Sequence, residues 1–199
     1  ACNLEACTAS FEFRNWYQNA EGSFHGLLGE ALNPEKTAVL DLSAGSFLSA
    51  KTDGVSLEKQ QNILDEYLRE NNAEIGIGKY TEARSLYAAK EFLNNSIDGQ
   101  EKRTIHLGID VFAPSGTSIF APIDGVVHQL QDNQSPLDYG PTVILKHQPE
   151  NGPEFFTLYG HLGRECLQQL QIGQKIKGGM PLAKIGNSNE NGGWLPHVH

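Results

Sequence analysis

The sequence predicts a mainly β protein, an antiparallel β-sheet or sandwich core preceded by an N-terminal α-helical extension. Three observations carry this expectation. From residue 103 onward Gly and Pro recur at short intervals, with β-branched residues dominating between them. Segments 57–71 and 80–95 instead space their apolar residues at the helical period. Between the two regimes, SIDGQEK at 96–102 is a polar, Gly-containing linker. The chain is therefore divided into residues 1–102, a helical and linker extension, and residues 103–199, a β domain.

Residues 1–55 are the least patterned. Apolar clusters such as Phe11-Glu12-Phe13 and Ala38-Val39-Leu40 alternate with Gly and Asn, and the segment is allotted one or two short strands and a helix. Over 57–71, Ser56 is placed to cap a helix whose Leu57, Leu64, Tyr67 and Leu68 share one face, and Asn71-Asn72 ends it. Over 80–95, Ala83, Leu86, Ala89 and Leu93 form a stripe stopped by Asn94-Asn95. Both helices are read as packing elements. The strands expected after them are 104–112, 117–121, 124–131, 141–147, 154–160, 174–177, 181–186 and 195–199. Pro114-Ser115-Gly116, Asp124-Gly125, Gly178-Gly179 and Asn191-Gly192-Gly193 supply the turns.

Composition excludes several classes. Of 199 residues, 39% are apolar and 20% charged, and no stretch approaches the ~20 apolar residues of a membrane span. The net charge is −9, with 16 acidic and 9 basic residues in 1–102 against 8 and 6 in 103–199. No basic run offers a phosphate footprint, so nucleic acid is not expected as a partner. Cys2, Cys7 and Cys166 are an odd set without CxxC spacing and read as free thiols. The sequence has no visible signal peptide and no initiator Met, so a mature form or an excised piece of a longer chain is expected.

The chemistry concentrates in the histidines, six of seven of which lie in the last 94 residues. His106 and Asp110 lie four apart in a segment that reads as strand. On a straight strand they would be ~13 Å apart, too far to share one ion, so a bend at Gly108 is needed to bring them together. His197 and His199 are two apart and share one strand face. His161 ends the apolar run 155–159. Two imidazoles and one carboxylate would leave a zinc ion one open position, the catalytic rather than the structural pattern. His161 and whichever of His197 and His199 does not bind the metal would then be the proton acceptor and oxyanion stabiliser.

HLGID at 106–110, FAPSGTSIFAPIDGVV at 112–127, LYGHL at 158–162, GQKIKGGMPLAKIGNS at 173–188 and PHVH at 196–199 resemble, in order and spacing, the LytM/lysostaphin-type zinc metalloendopeptidases. These are β-sheet enzymes that cut peptide cross-links of bacterial cell walls. The resemblance covers residues 103–199. It implies a LytM-like core, zinc as cofactor, His106, Asp110 and His199 as metal ligands, and His161 and His197 as catalytic imidazoles. The reaction it implies is hydrolysis of a peptide amide, in peptidoglycan or a related peptide, by attack of a zinc-activated water.

Some features depart from that pattern. The loop Asn187–Leu195 is acidic and bulky where wall-lytic members carry small Ser, Thr and Gly residues. IGIGKYTEARSLY at 75–87 and the ENGGW loop also resemble the middle module of fusions between kinase-like and aminotransferase-like domains. In such a fusion residues 1–55 would belong partly to a neighbour, and the alternative function is a non-hydrolytic metal-binding or regulatory module. The compartment would then be cytoplasmic rather than the cell envelope or exterior. The chain stops at His199, where the family's strand continues, so a fragment with a ligand at a frayed end is expected. His128 and His147 are expected as surface or ladder residues, His25 in a solvated loop and Asp124 in a turn. A Cys166–His161 nucleophile pair has no supporting signature. Tyr80 and Arg84 would either line a cleft or form a surface pair.

Overall fold

The computed structural model describes residues 4–20, 24–84 and 105–199, with side chains in the first stretch from residue 10. The chain begins with helix α1 (Leu4–Asn19), whose Phe13 and Trp16 rings pack on Phe155 at 5.0 and 5.3 Å between centroids. The Phe11-Glu12-Phe13 cluster therefore lies on a helix. A 3-10 turn (Pro34–Lys36) leads into strand β1 (Thr37–Leu40), which contains Ala38-Val39-Leu40. Helices α2 (Phe47–Thr52) and α3 (Leu57–Glu70) follow, and then strand β2 (Ile75–Gly78), paired in parallel with β1.

Helix α3 matches its sequence signals. The Ser56 hydroxyl accepts from Lys59 N at 3.4 Å, Glu58 and Arg69 complement the helix dipole, and Asn71 caps the C-terminus before Asn72 at φ 53°. Leu64, with Ile63, Tyr67 and Leu68 beside it, packs on Leu40, Leu48 and Phe112. The second helical expectation meets a different structure at its start. Residues Glu82–Ala83 form strand β3, antiparallel to β4 (Ile105–His106). Here tertiary contacts override helical propensity, because the Glu82 carboxylate is buried and accepts the Leu42 N–H at 2.7 Å. The rest of that segment and the 96–102 linker lie outside the described residues.

From residue 105 the chain is mainly strand: β5 (Asp110–Phe112), β6 (Ser118–Phe120), β7 (Gly125–Asn133), β8 (Gly140–His147), β9 (Phe155–Tyr159), β10 (Lys175–Ile176), β11 (Pro181–Lys184) and β12 (His197–Val198). A short helix, α4 (Cys166–Gln169), sits between β9 and β10. Strands β10-β7-β8-β9 form an antiparallel sheet, and β11-β6 a two-stranded one. The remaining four-stranded sheet has the order β1-β2-β5-β12, so strands from both sides of residue 102 share it. One core joins the layers, with Val111 and Val198 meeting Val127, Val143, Leu145, Leu162 and Ile185. Each fully buried aliphatic side chain there contributes about 1.5–3 kcal/mol relative to exposure.

Residues paired across neighbouring strands share a face. Val111 pairs with Ile77 and Val198, and this face looks into the core. The opposite face carries Asp110 and Phe112, paired with Gly78 and Gly76, and His197, paired with Phe112. Leu40 extends that face through Gly78, and α2 and α3 cover its outer part.

Candidate metal centre

The single strand expected over 104–112 is broken at 107–109, between β4 and β5. The break brings His106 Nε2 to 3.2 Å from Asp110 Oδ1. Gly108 makes it possible, since a Cβ there would lie 2.3 Å from the His199 ring. His199 Nδ1 in turn lies 3.0 Å from Asp110 Oδ1 and 3.0 Å from His106 Nε2. Among the described residues, these are the three side chains grouped so that one ion could be held. His199 follows β12, and its backbone pairs with Gly160 in both directions, at 3.0 and 3.4 Å. The expectation of a frayed ligand is therefore not what the backbone shows.

The three donor atoms lie 3.0–3.2 Å apart. Ligands at the usual ~2.0–2.1 Å from a tetrahedral zinc are separated by about 3.3 Å, so the triangle has the size such an ion needs. Two imidazole nitrogens and one carboxylate oxygen also suit zinc chemically and leave a fourth position open.

The surroundings orient each ring. A carbonyl only accepts, so His106 Nδ1–H donates to Lys79 O (3.0 Å), His161 Nδ1–H to Asn191 O (2.8 Å) and His197 Nδ1–H to Leu195 O (2.7 Å). In all three rings Nε2 is left as the lone-pair atom. The rings of His161 and His197 lie 4.3 Å apart, and His197 Nε2 is 3.7 Å from Asp110 Oδ1. Burial pushes the His161 imidazole well below its ordinary pKa, and His197 pushes it the same way. Burial also lowers His197, against the opposing pull of Asp110. Both rings are thus neutral near pH 7 and able to accept a proton. His161 has φ 62°, a left-handed backbone. Its N–H bonds to Tyr139 O (2.7 Å) and its carbonyl accepts from Gly186 (2.9 Å), so both neighbours hold it in that strained position.

Asp110 has a partner on its other oxygen. Arg84 Nη1 donates to Asp110 Oδ2 at 2.7 Å, and Arg84 Nε to Glu82 Oε2 at 3.0 Å, with side-chain exposures of 9%, 1% and 1% for Arg84, Asp110 and Glu82. Burial raises the Asp110 carboxyl, but the neighbouring His197, the polar contacts with His106 and His199, and the Arg84 guanidinium together hold it well below the usual carboxylate range. Gly78 leaves the room for this pair, since a Cβ there would lie 2.9 Å from an Arg84 nitrogen. Arg84 lines a cleft, as one of the two expectations had it, and is not a surface pair with Tyr80. The missed signal is Gly76-x-Gly78, two glycines on one strand face, which marks a close approach.

Asn191 was also missed. It is fully buried, accepts from Trp194 N at 3.0 Å and donates to Trp194 O at 3.2 Å and Gly186 O at 3.3 Å. It thereby holds the carbonyl that orients His161. The acidity of this loop is internal, because Glu190 accepts from Asn187 N and Nδ2 (3.1 and 2.7 Å) and from Arg164 N (3.1 Å). The other candidates separate clearly. His147 is not a surface residue: it is fully buried, bonded to Asp124 O (2.8 Å) and Thr157 Oγ1 (2.7 Å). His128 is exposed beside Phe156, and His25 is exposed beside Gly178 and Gly179. Burial pushes the Cys166 thiol up to about 12, which leaves it inert as a nucleophile. Cys2 and Cys7 carry no described side chain.

Residues 104–199 match peptidase family M23. An uncharacterized metalloprotease of Haemophilus influenzae is 33% identical over 94 residues, which are 47% of this chain and 18% of that protein. The peptidoglycan DD-endopeptidase ShyC of Vibrio cholerae is 33% identical over 103 residues, 52% of this chain and 21% of its own. The DD-carboxypeptidase/endopeptidase Mpg of Neisseria meningitidis is 35% identical over 95 residues, 48% of this chain and 19% of its own. The chain thus spans about a fifth of the length of these curated relatives. No helix among the described residues is long and apolar enough to cross a membrane. The strand-rich fold, the ordered motif blocks and the family match agree: residues 104–199 are a LytM-type domain of peptidase family M23.

Proposed function

We propose that this domain is a zinc-dependent endopeptidase that hydrolyses a peptide amide, in a peptidoglycan cross-link or a related peptide. The single observation that supports this most is the triangle of His106 Nε2, Asp110 Oδ1 and His199 Nδ1 beside two buried imidazoles with free Nε2 atoms. When bound there, zinc would supply a water of pKa near ~7 and a Lewis acid for the scissile carbonyl. Asp110 offers Oδ1 because Arg84 engages Oδ2. His161 and His197, neutral through burial, accept a proton at Nε2 and, once charged, donate it to the developing oxyanion or the departing amine. The Asn191 and Leu195 carbonyls fix the tautomers this role needs. The names of the relatives, which include peptidoglycan DD-endopeptidase, support the substrate class.

The test is hydrolysis of muropeptides and blocked peptides by zinc-loaded protein, with chelator, and with His161→Ala. Hydrolysis lost with chelator, and a rate reduced at least about 10²-fold in His161→Ala with zinc retained, are the expected results. Full turnover by His161→Ala contradicts the mechanism. Zinc binding without turnover of any substrate contradicts the enzyme reading.

A further inference from the structure

Beside the candidate centre lies a cavity of about 290 Å3 that the LytM-type domain does not build alone. Its walls include Leu48 of α2, Leu64 of α3, Leu40 of β1, Phe112 of β5, and Trp194 and Leu195 of the loop before β12. Asp110 and His197 also line it, so the cavity and the metal centre share residues. The Phe112 ring stacks on His197 with centroids 4.8 Å apart, and Trp194 lies 5.6 Å from His161 and 6.3 Å from His197.

The polar groups of the wall are turned to partners within the protein. Ser49 donates to Asp53 (2.9 Å), Thr52 to Leu48 O (2.9 Å), Gln60 to Val55 O (3.1 Å), and Arg84 to Glu82 and Asp110. The surface left for a ligand is mostly apolar. Consecutive Cα atoms of a peptide are 3.80 Å apart, so a peptide whose reacting carbonyl sits beside His197 would place an adjacent side chain at this mouth.

We propose that the cavity is a specificity pocket, built by α2 and α3, that takes one apolar side chain next to the scissile amide. The inference rests on the peptidase reading and narrows its substrate to peptides with a bulky apolar residue at that position. Glycine-only cross-links would leave the pocket empty. Leu57, half-buried at the first turn of α3, and Thr52, at the end of α2, lie on the pocket wall, on helices that carry none of the catalytic groups.

Two readouts test this. In the first, zinc-loaded protein is given blocked peptide pairs that differ in Leu against Gly, on either side of the scissile amide. The kcat/KM for one Leu peptide should exceed that of its Gly partner by at least about tenfold. Leu57→Trp or Thr52→Trp should bring the ratio near one and leave the Gly peptide's rate unchanged. In the second, metal-free 15N-labelled protein is titrated with blocked leucinamide and glycinamide, following the Trp194 indole N–H. A leucine-selective shift, abolished in the same variants, is expected. A ratio near one in the unmodified protein, or selectivity that survives both variants, overturns the pocket. Selective binding without turnover overturns the peptidase reading and leaves the pocket standing; turnover without selectivity does the reverse.

Discussion

Replacing Arg84 with Met removes the guanidinium that faces Asp110 while keeping a long apolar stem. The two side chains are 9% and 1% exposed and joined at 2.7 Å, so solvent screens little of the loss. Breaking a buried ion pair from one side typically costs about 3–5 kcal/mol, because the remaining charge stays buried without compensation. His106 and His199 still contact Asp110 Oδ1, and Leu42 N–H still serves Glu82, which puts the loss near the lower bound. For a chain of this size, about 3 kcal/mol corresponds to a fall in Tm of roughly 6–12 °C. Zinc at Oδ1 would supply part of the missing positive charge, so the deficit should shrink in the loaded protein. Thermal melts of both proteins, with and without zinc, read this directly. Equal melting temperatures without metal, or a gap that zinc leaves unchanged, would refute the argument.

Gly108→Ala should place a methyl against the His199 ring, where the contact is 2.3 Å, and weaken zinc binding by about 10–100-fold while the β core keeps its circular dichroism. Competition against a zinc-binding dye measures it, and undiminished affinity would contradict the geometry. The buried His147 has its pKa lowered by burial, so its neutral form belongs to the folded state. Its contribution is complete above the unfolded value of ~6.5 and is lost as pH falls from there through the lower folded value. Urea titrations of metal-free protein between pH 7 and 5 should show His147→Gln with a shallower acid loss than the unmodified chain; identical slopes would assign the loss elsewhere.

Much of the domain was readable because its strands are short and separated by Gly and Pro turns. The expected strands from 117 to 199 lie within a few residues of those observed, and α3 follows its cap and stripe closely. The meeting of His106 and Asp110 was readable as a need for a bend, and Gly108 supplies it. Long-range partnerships were not. Arg84 and Asp110 are 26 positions apart, and nothing local to YTEAR marks Glu82 and Arg84 as buried. A stripe beginning at Ala83 suggested a helix, whereas Glu82–Ala83, at the start of that segment, is strand beside the Glu82–Arg84–Asp110 ion pairs. His147 is a ladder residue, as one of its two expectations had it, but its burial was not readable, because its partners, Asp124 O and Thr157, come from elsewhere in the chain. The extension of the site-bearing sheet by β1 and β2 is likewise a matter of pairing, which composition does not encode.

The central claim concerns the ion and its three donors. Zinc content and zinc-edge X-ray absorption of the unmodified protein, His106→Ala and His161→Ala test it together. The account predicts about one zinc per chain with two imidazole ligands in the unmodified protein. It predicts the same in His161→Ala and a loss of most of the metal in His106→Ala. Full zinc occupancy with an unchanged coordination shell in His106→Ala would contradict it.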